Sequence, residues 1–169
     1  IYFPEKLFYE DNYIVPLLVA YADNIRKVNE PLINYYIGNV SVTRSFNNEN
    51  YFHRQETAKT LLFESRKRNL INYKDEIEYN FIKLFYINTS IGCLTKFFPI
   101  RFKELLGIRE EIVDILPNYM QNKYLISRIN NNRKFKIYMN ILNNFPYLLP
   151  ILYQPRSFVK SLKLRSEKY

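Results

Sequence analysis

The stretch FYEDNYIVPLLVAYADNI, residues 8–25, starts with two adjacent carboxylates and continues as a mainly apolar run. A short side chain bearing an oxygen can satisfy the free N–H groups at a helix start. Asp11 or Asn12 is therefore predicted to cap a helix here. Pro16 is expected near the first turn, where a missing N–H is best tolerated. The sequence thus predicts a helix directly after the pair Glu10–Asp11.

Two short segments with the composition of β-strands follow this helix. They are IRKVNE (residues 25–30), which Pro31 ends, and INYYIG (residues 33–38). Two short strands do not form a stable sheet alone. Residues 1–45 are therefore expected to be the edge of a larger α/β unit whose sheet lies outside this chain. The apolar residues expected to be exposed where that sheet would pack are Leu17, Leu18, Tyr35 and Ile37.

From Tyr51 onward the apolar residues recur at helical spacing, so the rest of the chain is predicted to be helical. One helix is expected at about 51–68 and a longer one at about 73–98. The second half of the longer helix has almost no charge, which predicts burial on most sides. Shorter helices are predicted at 101–106, 110–116, 119–129 and 133–143, and Pro146, Pro150 and Pro155 are expected to punctuate an aromatic stretch before a last basic helix.

The positive charge is concentrated at the C-terminal end, where a basic aromatic tail (133–169) follows the predicted helical extension (46–132). The net charge is +9, and the tail contains eight Lys or Arg against one Glu. This pattern suggests an anionic partner, either membrane headgroups or nucleic acid. The tail also contains FPYLLPILY, which suits an interfacial membrane segment better than a nucleic-acid groove. We therefore predict an anionic membrane surface and no nucleic acid; packing of these apolar residues on the preceding helices is the alternative.

The composition excludes several kinds of site. A single cysteine, Cys93, and a single histidine, His53, exclude a cysteine-built zinc site and a histidine-clustered metal centre. His53 is interpreted as a surface or packing residue. The sequence contains no phosphate-cradling glycine-rich loop and no apolar run near the roughly 18 residues that a transmembrane helix needs.

The order of motifs in residues 3–43 resembles the end of the catalytic domain of family 2 glycosyltransferases, the inverting GT-A enzymes of bacterial polysaccharide assembly. In that family an aromatic or apolar residue precedes Glu-Asp and an amphipathic helix. A strand, a segment of the form kPLYYYR and a loop ending in Ser-x-Thr follow. The corresponding residues of this chain are Tyr9-Glu10-Asp11, the helix at 12–22, Pro31-Leu32 with Tyr35-Tyr36, and Ser41-Val42-Thr43.

The resemblance implies that Asp11 is the catalytic base, which takes the proton of the acceptor hydroxyl as its oxygen attacks the anomeric carbon. Glu10 would either orient the acceptor or act on Asp11 through like-charge repulsion. The alternative is that Asp11 only caps the helix. The substrate-binding residues implied by the same match are Tyr9, Tyr36, Ser41, Thr43 and Arg44.

Two positions depart from the family pattern, and one expected motif is missing. Related enzymes often have Arg where this chain has Tyr36, and some have His where it has Gly38. That His can help to hold the metal and diphosphate, so this ligand is absent here or supplied elsewhere. Arg44 either reaches a diphosphate or is a solvated charge. The family's Asp-x-Asp motif does not occur in this sequence. The chain is therefore expected to be the C-terminal part of a transferase, inactive alone and without a bound cofactor.

The complete enzyme would bind Mg or Mn, a nucleotide-sugar donor and a glycan or lipid-linked acceptor. Its expected location is cytoplasmic, peripheral at the inner face of the cell membrane, in the synthesis of cell-surface polysaccharide. The competing hypothesis is a helical interaction module without catalytic activity that binds a membrane surface or nucleic acid. The two hypotheses differ over residues 3–43, since an adaptor has no need for Glu-Asp before a helix in that order.

Overall fold

The computed structural model describes residues 2–3, 6–34 and 45–166, with side chains to residue 159. In these ranges the chain is mainly helical and has no β-strand. The α-helices are α1 (Asp11–Tyr21), α2 (His53–Lys67), α3 (Lys74–Phe81), α4 (Thr89–Thr95), α5 (Phe102–Ile115), α6 (Lys123–Asn131), α7 (Arg133–Asn144) and α8 (Leu148–Ser166). Short 3-10 turns lie at Glu49–Phe52, Ile71–Tyr73 and Tyr119–Gln121.

A continuous helical segment from Lys74 to Thr95 forms the centre of the fold. Its middle part, Ile82–Asn88, is π-helical and joins α3 to α4. Thr89 is fully buried, and its hydroxyl donates to the Leu84 carbonyl at 2.8 Å, which satisfies an acceptor inside the widened turn. The buried residues of the π segment are Ile82, Leu84, Phe85, Tyr86 and Ile87. The helix predicted at 73–98, and the burial expected from its low charge, are confirmed over most of this length.

The other helices pack around this centre. α2 lies against α1, α3 and the π segment, α4 contacts α5 and α8, and α6 packs on α3 and α7. One hydrophobic cluster runs from Tyr13 of α1 to Leu149 of α8. The helices predicted at 51–68 and 133–143 are confirmed as a 3-10 turn followed by α2, and as α7.

The division of residues 101–129 into helices was predicted incorrectly. The helices expected at 101–106 and 110–116 form one helix, α5, which continues through Gly107. Its buried face crosses the glycine, because Leu105, Ile108 and Ile112 share one side at helical spacing. The helix expected at 119–129 starts as a 3-10 turn. Its α-helical part begins later, after a side-chain cap by Asn122.

The strand predicted at residues 25–30 is not formed. Residues 22–34 have no regular secondary structure, and all of them are exposed. A strand needs the ladder of hydrogen bonds that a neighbouring strand provides, and no strand is present among the described residues. Most of the second predicted strand, at 33–38, lies outside the described residues.

Candidate functional site

The pair Glu10–Asp11 lies at the start of α1. Asp11 is the first residue of the helix, Glu10 precedes it with helical backbone angles, and both residues are exposed. The helix predicted directly after this acidic pair is therefore confirmed, and the Asp11 carboxylate lies on an exposed face. Across the described residues neither carboxylate forms an ion pair. A negative charge at this end is also favoured by the helix dipole.

The predicted side-chain cap by Asp11 or Asn12 is wrong. Backbone carbonyls take its place: the Asn12 N–H donates to the Tyr9 carbonyl at 3.0 Å, and the next two N–H groups donate to the Glu10 carbonyl at the same distance. With these donors satisfied, a side-chain oxygen is not required. The side chains of Asp11 and Asn12 therefore do not cap the helix.

α1 is held against α2 by one buried face. Tyr13, Ile14 and Leu17 follow helical spacing and are buried. The prediction that Leu17 is exposed is therefore wrong, whereas Leu18, about 100° further around the helix, is half-exposed as expected. Pro16 lies in the second turn instead of the first, so it removes one hydrogen bond inside the helix.

The residues directly before the acidic pair are attached to the start of α2. The Phe8 N–H donates to His53 Nδ1 at 3.2 Å, and the two rings lie 5.6 Å apart. The Arg54 guanidinium lies 4.6 Å from the centre of the Tyr9 ring. The interpretation of His53 as a packing residue agrees with this contact. Tyr9 has a φ of 66°, a left-handed conformation that is uncommon for a residue other than glycine.

Arg54 is fixed from its other side by Tyr51. Its guanidinium lies 3.7 Å from the Tyr51 ring centre, Nε donates to the Tyr51 carbonyl at 3.1 Å, and Nη1 donates to the Tyr51 hydroxyl at 2.9 Å. That hydroxyl donates to the Asn88 carbonyl at 2.8 Å. Burial raises the pKa of Tyr51, an effect that the Arg54 charge partly opposes. Arg54 is therefore held between two tyrosine rings, on a neutral hydroxyl.

Gly92 of α4 provides the space for the Tyr51 ring. A Cβ atom at this position would lie 2.0 Å from a ring carbon, far closer than van der Waals contact. The anchoring of the acidic turn therefore extends through Arg54 and Tyr51 to the central helical segment.

Of the remaining predicted site residues, Tyr9 alone lies within the described residues. Tyr9 has its ring covered on one face by Arg54, and its buried hydroxyl has no hydrogen-bond partner in the described part of the chain. The other predicted substrate-binding residues, Tyr36, Ser41, Thr43 and Arg44, lie outside the described residues. Arg54 was not predicted as a site residue; its only signal in the sequence is a cation in the first turn of a helix, where the dipole disfavours it.

The described residues provide no metal-binding group and no activated thiol. No cluster of three His, Cys, Asp or Glu side chains is suited to hold a metal within these ranges. Cys93 is fully buried, and burial raises the pKa of its thiol to about 12. Since the thiolate is the nucleophilic form, Cys93 is not suited to nucleophilic chemistry.

The C-terminal helix α8 has one anchored face and one exposed face. Leu149 and Ser157 are buried, and the Ser157 hydroxyl donates to the Phe97 carbonyl. The opposite face is apolar and open at Leu148, Ile151, Leu152 and Val159, which recur at helical spacing. The expectation that Pro150 and Pro155 precede the last helix is wrong, because α8 begins at Leu148 and includes both. Pro150 falls in the first turn, where proline is tolerated, and Pro155 lies on the exposed side.

Within the described ranges, the helices are too short or too polar to cross a bilayer. No family model matches this chain, and no curated protein or solved structure is significantly similar to it.

Proposed function

We propose that residues 3–43 form the acceptor side of an inverting GT-A glycosyltransferase of family 2, with Asp11 as the catalytic base. The main support is the exposed carboxylate of Asp11 at the start of α1, beside Glu10 and without a cap or an ion pair in the described structure. A carboxylate that is exposed and has no cap or ion pair is available to accept a proton. The order of motifs around it is the second support.

In the proposed reaction a sugar passes from a nucleotide-sugar to an acceptor hydroxyl with inversion, in the synthesis of a bacterial cell-surface polysaccharide. Asp11 takes the hydroxyl proton while the acceptor oxygen bonds to the anomeric carbon and the nucleotide leaves. Glu10 is adjacent and exposed, which suits a contact with the acceptor. Within the described ranges no cluster of three metal-ligating side chains is present; the divalent metal expected in the complete enzyme would be held by its donor-binding half.

The segment after α1 supports the proposed edge of a GT-A sheet. Residues 22–34 are exposed and irregular, yet they include the apolar residues Ile25, Val28, Leu32 and Ile33. Exposed apolar side chains along such a segment are expected where a further layer of the domain covers them. We propose that this segment pairs with the sheet of the donor-binding half.

The test is Asp11→Asn in the complete enzyme. Removal of the base is expected to lower transfer by roughly 10²-fold or more. The melting temperature is expected to change little, because no capping bond is lost and the charge at the helix start contributes at most about 1 kcal/mol. Asp23→Asn, an exposed carboxylate just after α1, is the matched control and is expected to be active. Near-normal turnover of Asp11→Asn would contradict the proposal.

We also propose that residues 133–169 hold the protein at an anionic membrane surface, the inner face of the bacterial cell membrane. The supporting observation is the exposed face of α8, where Ile151 is 70% exposed and Leu152 is 53% exposed. Shallow burial of such a face is typical of interfacial helices. The eight cations of this region would each add about 1 kcal/mol near an anionic leaflet.

Vesicle flotation tests the membrane proposal. Anionic vesicles are expected to retain the chain at low salt and release part of it at high salt, because salt screens the basic contacts. Ile151→Asp is expected to weaken retention, whereas Val113→Asp, at an exposed apolar position on α5, is the control. Equal retention by neutral and anionic vesicles would remove the electrostatic contribution. Lack of retention by both would contradict the proposal.

The same exposed face favours a second candidate, a helical membrane-binding module without catalytic activity. The two candidates make different predictions for Asp11→Asn. The module predicts that the complete protein binds vesicles and shows no transfer with or without Asp11→Asn, whereas the proposed base predicts a transfer activity that this variant removes.

A further inference from the structure

We infer that His53 and Arg54 are positioning residues for Asp11, because they fix the turn from which the catalytic base projects. This inference rests on the proposed function, since Asp11 must be the base for its orientation to affect transfer. Both residues lie at the start of α2, 42 and 43 positions after Asp11 in the sequence. Neither residue matches a motif of the family resemblance.

The path from α2 to Asp11 is short. The Tyr9 carbonyl accepts from the Asn12 N–H at 3.0 Å, so Tyr9 closes the first turn of α1. The ring of Tyr9 lies under Arg54, and the preceding N–H, that of Phe8, donates to His53. Any movement of the Phe8–Tyr9 segment therefore moves the backbone that carries Asp11.

The backbone of Tyr9 indicates that this turn is held in place by its surroundings. A left-handed tyrosine persists only where neighbouring contacts determine it. The contacts available here are the Arg54 guanidinium over its ring and the His53 acceptor beside it. The burial of Tyr13, Ile14 and Leu17 fixes the axis of α1. The contacts from His53 and Arg54 of α2 fix the backbone that leads into the first turn of α1.

The way in which Arg54 contacts this turn also suits the role of Asp11 as a general base. An ion pair between Arg54 and Asp11 would occupy the carboxylate and favour its charged form, which weakens it as a proton acceptor. The guanidinium instead lies against the rings of Tyr9 and Tyr51, and among the described residues it forms no ion pair. Asp11 is thus oriented through backbone and ring contacts, and its oxygens stay free.

The contact itself is tested in the 169-residue chain by NMR measurement of amide exchange at Phe8. His53→Ala removes the acceptor and is expected to raise the exchange rate about two- to tenfold, the effect of one hydrogen bond. His53→Asn keeps an acceptor at the position of Nδ1 and is expected to restore protection. Lys67→Leu, an exposed cation at the other end of α2, is the control that leaves the rate unchanged. Unchanged exchange in His53→Ala would overturn the inference.

The effect on the reaction is tested in the complete enzyme. Arg54→Leu and His53→Ala are expected to lower kcat by up to about 10²-fold, the effect of a misplaced catalytic group. KM for the donor is expected to stay the same, because the donor binds elsewhere. His53→Asn should recover much of kcat, a rescue that a general loss of stability would not give. The His53 variants keep the test decisive where Arg54→Leu fails to fold.

Two failures can be distinguished. Loss of activity in Asp11→Asn, together with normal kcat in His53→Ala and Arg54→Leu, would overturn the positioning role alone. Full activity of Asp11→Asn would overturn the proposed base, and with it this inference.

Discussion

The two ends of the chain are attached to the same central helical segment in different ways. At the N-terminal end, Arg54 and Tyr51 connect the turn before Asp11 to the Asn88 carbonyl through ring and hydrogen-bond contacts. At the C-terminal end, α8 is held by buried Leu149 and by one hydrogen bond from Ser157. The first end presents carboxylates and the second presents aliphatic side chains.

At each end a small number of contacts orients an exposed surface, and the exposed side chains themselves take no part in those contacts. In both places an anchored residue lies next to exposed ones in sequence: Tyr9 precedes Glu10, and Leu149 follows Leu148. The polar attachment fixes one turn precisely, because hydrogen bonds and ring contacts are directional. The apolar attachment of α8 fixes a whole helix face, because burial is not directional.

The largest effect is expected where α8 is anchored. Leu149→Ala removes a side chain that is 1% exposed, and it is expected to lower the free energy of unfolding by about 2–5 kcal/mol. Ile151→Ala, on the free face, is expected to change it by less than about 0.5 kcal/mol. Urea unfolding measures both. Equal losses would show that the two faces of α8 are not distinct.

A smaller effect is expected beneath the N-terminal anchor. Gly92→Ala places a Cβ atom against the Tyr51 ring and is expected to cost about 1–3 kcal/mol, as overpacking does. Gly107→Ala in α5 meets no atom within 4 Å and is expected to stabilise by up to about 1 kcal/mol through helix propensity. Thermal unfolding of the pair separates the two effects. A stabilised Gly92→Ala variant would contradict the close packing of the Tyr51 ring against Gly92.

The smallest effect is expected from the hydrogen bond that Ser157 of α8 donates to the Phe97 carbonyl. Ser157→Ala leaves the Phe97 carbonyl without this donor and is expected to cost about 1 kcal/mol. Ser127→Ala, at an exposed position on α6, is the control and is expected to be close to neutral. Urea unfolding of the two variants should give different midpoints. Coincident midpoints would show that this hydrogen bond does not contribute to the anchoring of α8.

The sequence alone determined the helices whose signal is local. Apolar residues at helical spacing predicted the helices at 51–68, 73–98 and 133–143, and the near absence of charge predicted a buried centre. The place of Asp11 at an exposed helix start also follows from neighbouring residues. Each of these features depends on interactions within a few turns of one helix, so a short window of sequence contains the information.

The tertiary structure decided what depends on distant partners. Phe8 and His53 are 45 positions apart, and no periodic pattern connects them. The same holds for the left-handed Tyr9 and for the space that Gly92 provides. The strand predicted at 25–30 failed because pairing depends on a neighbour that the local sequence does not specify. Packing between helices decides which face of α8 is buried, and so which apolar face stays exposed.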